Sequence, residues 1–242
     1  MTRHTLPPLS YGYGALEPWI DEQTMRIHHG QHHAQLVNTL NDTESRLEAA
    51  RDNGDLLLVQ LLCERAAMLT SAHQLHRLYW SIMGPDQSGQ PSDELADQLS
   101  EDFGSFAAFK WQFSAAAMNL EPGGWVVLVW QLANRRLAIL TAEDHLLARD
   151  WESAAVLALD AWEHAYYLKY EHRRAEYVHN WWNTVNWRRV SEHFAAASSS
   201  RPLTRPAGAR QRNHHTAQTA AAAESSDSAD RDVVRAGVRH AC

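Results

Sequence analysis

The sequence predicts an α+β fold: an N-terminal antiparallel helical hairpin, then an α/β domain with a small three-stranded antiparallel sheet. Three observations predict it. Two long stretches of helical periodicity meet at Asn53-Gly54, a helix-end signal, so the second helix returns along the first. Gly84-Pro85 closes the second stretch, and the composition shifts beyond Pro91. Three short runs rich in Val, Leu and Trp then follow the turn Pro122-Gly123-Gly124.

Residues Thr2 to Leu16 read as extended, punctuated by Pro7, Pro8, Gly12 and Gly14. Pro18 opens the first helical pattern, and Asp21 and Glu22 suit its positive N-terminal end; the pattern runs to about Asp52. The second helix spans about Leu56 to Met83. Ser92 or Asp93 caps a short helix to Leu99, and another carries Phe106, Phe109, Phe113 and Ala117 at helical spacing. Trp125 to Leu132 and Arg136 to Leu140 read as strands joined by a turn, and Ala154 to Leu159 as a third strand running into Asp160. From Trp162 to about Phe194 the pattern is helical and aromatic. The remainder is dominated by Ala, Ser, Arg and Thr and cannot bury enough apolar surface to order itself. The expected domains are a hairpin over 1–88, an α+β domain over 89–197 and a disordered tail over 198–242.

With 45% hydrophobic and 21% charged residues in 242, the chain has material for a real core and does not read as disordered or fibrous. The net charge of −7 argues against nucleic acid as the main partner. Seven Arg and four acidic residues follow position 200, which leaves about −10 for the rest. No run has the length needed to cross a bilayer, and Met1 to Ser10 has no apolar signal-peptide core. Cys63 and Cys242 make no disulfide framework, which fits a reducing compartment. The expected location is cytoplasmic, away from membranes.

The unusual count is 15 His, of which eight fall at 28, 29, 32, 33, 73, 76, 145 and 164. Clustered His points to metal or acid–base chemistry more often than to packing. His28, His32, Leu36 and Leu40 share one helix face, with His29 and His33 as a neighbouring stripe; a solvated polar face is the alternative. Leu69, His73, His76, Trp80 and Met83 form the stripe of the second helix that faces the first. A His in such a stripe must be hydrogen-bonded or bound to offset its desolvation. Asp160 and His164, four apart, can converge on one ion. A carboxylate and imidazoles without thiolates suit Fe or Mn rather than structural zinc.

The run Asp160-Ala161-Trp162-Glu163-His164-Ala165-Tyr166-Tyr167 resembles the signature of the iron/manganese superoxide dismutase family. So do Tyr13-Gly14-Ala15-Leu16-Glu17-Pro18, His28-His29-Gly30-Gln31-His32-His33, Gly124-Trp125 and Asn183-Thr184-Val185-Asn186-Trp187, in family order from about residue 4 to 197. The resemblance implies one Mn or Fe ion per subunit, with ligands at His28, His76, Asp160 and His164 and aromatic walls at Trp80, Trp125 and Trp162. It implies ping-pong disproportionation of superoxide to dioxygen and hydrogen peroxide. It also implies a homodimer or tetramer: Glu163 meets the neighbouring subunit's residue matching His164, and Tyr167 meets the one matching His32. His145 occupies the region where manganese-type members place a group bonded to metal-bound solvent; iron-type members place theirs at the position of Ala72.

Three departures concern the surroundings of the metal, one of them Trp19 in place of an early active-site His. Leu36 stands where the family has a gateway Tyr, and Leu75 where it usually has Asn. Neither leucine offers a side-chain hydrogen bond. The competing readings are a repurposed metal-binding or structural paralogue of the same fold and a dimetal carboxylate protein. The retained ligands argue against the first; against the second, Asp160 is the one clearly placed carboxylate and Glu163-His164 lacks the Glu-x-x-His spacing.

Overall fold

In the computed structural model, Asp21 rather than Pro18 starts the first helix. Its carboxylate accepts a hydrogen bond from the Thr24 amide at 2.9 Å, and α1 (Glu22–Ile27) follows. The structure describes residues 3–85, 89–142 and 152–200, all within one compact unit, Met1–Arg205. The second unit, Pro206–Cys242, and with it most of the expected tail, lies outside the described residues, as does His145.

α1 continues through a π-helical turn, His28–His33, into α2 (Ala34–Asp52). Asn53 and Gly54 end α2, Gly54 at φ +69°, and Asp55 caps α3 (Leu56–Ser81) by accepting from the Leu58 amide at 3.0 Å. α2 and α3 pack as the expected hairpin. The N-terminal half of α3 is more apolar than its burial requires: Leu56, Leu57 and Leu61 are 82%, 69% and 54% exposed, and Cys63 is exposed beside them. Among the described residues, no helix is long and apolar enough to cross a membrane.

Ser92 caps α4 (Asp93–Phe103) and Ser105 caps α5 (Phe106–Met118), which bury Leu95, Leu99, Phe109, Phe113 and Ala117. The sheet has the order β2-β1-β3, all antiparallel, with β1 (Trp125–Gln131) central, β2 (Arg136–Ala142) and β3 (Ser153–Asp160). Buried on both faces, β1 is a continuous apolar run rather than an alternating one. Each of its fully buried large side chains contributes roughly 1.5–3 kcal/mol.

The segment read as one helical stretch from Trp162 to Phe194 is instead broken into five pieces. A 3-10 turn (Glu163–Ala165), α6 (Tyr167–Tyr170), α7 (Arg174–Trp181), a second 3-10 turn (Trp182–Thr184) and α8 (Trp187–Ser198) follow one another. Glu171 at φ +51° ends α6, and the Asn186 side chain caps α8 by accepting from the Arg189 amide. Aromatic residues in four of the five pieces, with Ala165 from the first turn, keep facing one core, so a helix-like apolar pattern survives the breaks. α8 packs on β3 and β1, and the C-terminal half of α3 packs on β3. That contact brings the hairpin histidines to the end of the sheet.

Candidate metal centre

Asp160 is the last residue of β3, paired with Trp125 and followed by an Ala161 amide that donates to Gly124 O at 2.8 Å. It is fully buried, and each of its oxygens has a separate role. Oδ1 accepts from the Trp162 amide at 3.0 Å, and the main-chain carbonyl accepts from the Tyr177 hydroxyl at 2.9 Å. Because Tyr177 spends its proton there, the Tyr79 hydroxyl, 3.0 Å away, donates to Tyr177. Oδ2 is left for the histidines: His164 Nε2 lies at 3.0 Å, His28 Nε2 at 3.2 Å and His76 Nε2 at 3.7 Å.

His164 reaches this point from the 3-10 turn, so its convergence with Asp160 comes from a strand end and a tight turn, not from one helix face. His28 and His76 come from the hairpin. His76 Nδ1 donates to Ala72 O at 2.8 Å, which fixes the tautomer with the Nε2 lone pair facing Asp160. One candidate ligand atom from each of the four residues lies within 4.8 Å of the others. Three imidazole nitrogens and a carboxylate oxygen, with no thiolate, fit an Fe or Mn ion.

The π-turn decides which histidines enter. Widening the helix by one residue per turn brings His28, His29 and His33 into the interior and leaves His32 half-buried at its edge. The two His stripes are therefore buried surfaces, not a solvated face. His29 Nε2 donates to Pro7 O at 2.9 Å, and its Nδ1 faces the Tyr13 hydroxyl at 3.3 Å, so this residue ties the helix to the N-terminal segment.

Burial and mutual attraction set the charge states. Burial pushes His28 down to about 4 despite Asp160 and pushes His76 well below the ordinary imidazole value. Burial alone would raise Asp160, but His164 and His28 outweigh it and hold the carboxyl well below its usual range. Burial opposes the charge on His164 as well, yet Asp160 wins and raises that imidazole. An anionic Asp160 amid mostly neutral imidazoles is a donor set ready for a cation.

Aromatic rings close the site. Trp80 lies 4.7 Å from the His28 ring, Trp125 5.0 Å from His76 and Tyr79 5.7 Å from His28, centroid to centroid. His32 stacks on His164 at 4.2 Å. It also borders a groove of about 530 Å³ between α2 and α3, whose other walls include Leu36, Met68, Leu69 and Ala72. No described polar side chain occupies the Leu36 position; Leu36 packs with Leu40, Leu69 and Ala72. Leu75 is buried and lines a separate cavity with Ala155 and His193. Tyr167 is half exposed, beside Leu168, outside the cluster. Two supporting residues escaped the sequence reading, Tyr177 and Tyr79. Tyr177 falls in an aromatic-rich stretch where nothing in the spacing marks it, although its hydroxyl fixes the Asp160 backbone.

Two family models match the chain. The alpha-hairpin domain of iron/manganese superoxide dismutases matches residues 3–84 and the C-terminal domain matches residues 91–193. A protein of Bacillus subtilis (strain 168), described as a probable iron superoxide dismutase, is 42% identical over 195 residues, 81% of this chain and 69% of its own. The iron superoxide dismutase of Pyrobaculum aerophilum is 41% identical over 197 residues, 81% of this chain and 93% of its own. The manganese enzyme of Mycolicibacterium smegmatis is 40% identical over 199 residues, 82% of this chain and 96% of its own.

Proposed function

Since the chain belongs to the iron/manganese superoxide dismutase family, we propose that its own His28, His76, Asp160 and His164 hold the metal ion with which it disproportionates superoxide. The protein is a superoxide dismutase, and its cofactor is Fe or Mn. The observation that carries the residue assignment is the convergence of three imidazole nitrogens on one buried carboxylate oxygen. When bound, the ion supplies one-electron chemistry, accepting an electron from one superoxide and passing it to the next.

The chain's residues set the terms of that chemistry. Asp160 supplies the anionic ligand, and the Trp162 amide and Tyr177 hydroxyl keep it aimed. Trp80 and Tyr79 from the hairpin and Trp125 from the sheet exclude bulk water from the site. His32, stacked on His164 at the edge of the groove, is the residue best placed to pass protons inward from solvent. His145 completes the proton supply in this proposal. A metal-free structural paralogue is not favoured, because all four ligand residues are present and the relatives of about 40% identity are named superoxide dismutases.

The test is elemental analysis and a superoxide-removal assay on the same purified sample. The expected result is about one Fe or Mn per chain with fast turnover. No redox metal, even after refolding with iron or manganese, would overturn the assignment.

Leu36 places carbon where a hydroxyl would serve proton delivery, and the adjoining groove leaves room for a larger ring. Leu36→Tyr is expected to raise turnover by accelerating the proton-requiring reduction of superoxide. Pulse radiolysis separates the two half-reactions, and a variant no faster than the parent would refute the role.

We further propose a cytoplasmic homodimer, or a tetramer containing it, built through Glu163, His164 and Tyr167. Half-exposed Tyr167 and Leu168 sit next to the partly exposed His164 edge, a surface suited to a partner. Glu163→Ala combined with Tyr167→Ala is expected to shift the parent dimer toward monomer in sedimentation velocity. An unchanged distribution would rule this surface out.

A further inference from the structure

Beside Trp80 lies a buried pair of histidines, His33 and His73, outside the metal cluster. Trp80 Nε1 donates to His33 Nδ1 at 3.0 Å, and His33 Nε2 lies 2.8 Å from His73 Nδ1. All three residues are at most 4% exposed. An indole nitrogen can only donate, so His33 Nδ1 must be the acceptor and carry no hydrogen. A neutral imidazole then has its proton on Nε2, which makes His33 the donor to His73 Nδ1. His73 in turn carries its proton on Nε2. The order of donors is therefore fixed from Trp80 through His33 to His73.

The chain holds only while both imidazoles are neutral. Both rings are buried, which disfavours the charged form. His73 is supported on its far side by the His4 ring, edge-on at 5.6 Å, and His4 is held by Glu44 and Asn41. If His73 could not accept, His33 would have two poor choices. It could keep a buried Nε2–H without a partner, or move the proton to Nδ1 and face the Trp80 N–H with another N–H. Either choice leaves a buried donor unsatisfied and loosens the indole.

The looseness would reach the metal centre, because the Trp80 ring meets the His28 ring edge-on at 4.7 Å and His33 stacks on His76 at 4.9 Å. We propose that His73 is a positioning residue for the metal centre: by accepting from His33 it fixes the tautomer that receives the Trp80 indole, and so fixes the wall against which His28 is seated. The inference rests on the reading of His28 and His76 as ligands, but its first test does not depend on turnover.

Neutron diffraction from deuterated crystals of the metal-loaded full chain locates the protons. The expected result is a deuteron on His33 Nε2, none on His33 Nδ1, and the Trp80 deuteron directed at that bare nitrogen. A deuteron on His33 Nδ1 would overturn the proposal even if the protein dismutates superoxide rapidly. Two variants supply the functional readout. His73→Gln keeps an acceptor oxygen and is expected to retain turnover and the metal's visible absorption band. His73→Phe keeps bulk without an acceptor and is expected to lose on the order of 10-fold in turnover, with the band displaced at unchanged metal content. Equal turnover and identical bands in the two variants would overturn the role. Where His73→Phe does not fold, the deuteron position decides alone.

Discussion

Asp160→Asn is expected to leave purification folded, with little Fe or Mn, and to remove superoxide near the background rate. The amide has the shape of the carboxylate, and its oxygen can still accept from the Trp162 amide, the contact Oδ1 makes at 3.0 Å. Its NH2 then takes the place of Oδ2 and points two hydrogens at the space that His28, His76 and His164 face. The site thereby loses its anionic ligand and gains donors where a cation needs acceptors. Partners that merely orient a ligand cost roughly 10–100-fold in affinity or activity, and losing the charged ligand itself should cost more. Metal content and turnover measured on one preparation check this. A variant with parent-like metal and turnover would remove Asp160 from the ligand set.

Gly124→Ala carries the largest expected cost to stability. Gly124 has φ +149°, a conformation side chains rarely adopt, and an added Cβ would sit inside van der Waals contact of the Ala142 carbonyl and 2.9 Å from Leu120 Cδ2. Ala142 is held in register opposite Trp125, so it cannot retreat without disturbing the β1–β2 ladder. Strain and overpacking together are expected to cost roughly 3–5 kcal/mol. Metal retention should fall as well, because Gly124 O accepts the Ala161 amide next to Asp160. Gly12→Ala is the control: its Cβ would meet nothing within 4 Å, and a change within about 0.5 kcal/mol is expected. Urea unfolding compares the two. Equal midpoints would refute the argument.

Much of the fold was legible because its signals are local. Asn53-Gly54 and Gly84-Pro85 punctuate the hairpin through backbone preferences that act within a few residues, and an apolar run such as Trp125 to Gln131 suits a strand buried on both faces. The Asp160-to-Tyr167 run is similarly short, so both its resemblance and its ligand candidates could be read directly from the residues. Where longer-range packing set the boundary, the local reading drifted. The first helix waits for the Asp21 cap, and the stretch after Trp162 breaks into turns whose aromatic residues still face one core.

The sequence by itself determined the hairpin, the three strands, the His-rich first helix and the residue types available to a redox metal. The resemblance already implied which histidines join Asp160; only the tertiary structure decided how they reach it and which histidines meet one another. Four His in six residues carry the same chemistry; the π-turn and the packing of α3 on β3 direct His28 to the carboxylate, His29 to Pro7 O and His33 to Trp80 and His73. The physical reason is distance in the chain. Partners such as Tyr177 with Asp160, Tyr79 with Tyr177 and His33 with His73 lie 17, 98 and 40 residues apart, and no local propensity encodes contacts that exist only once the core has closed.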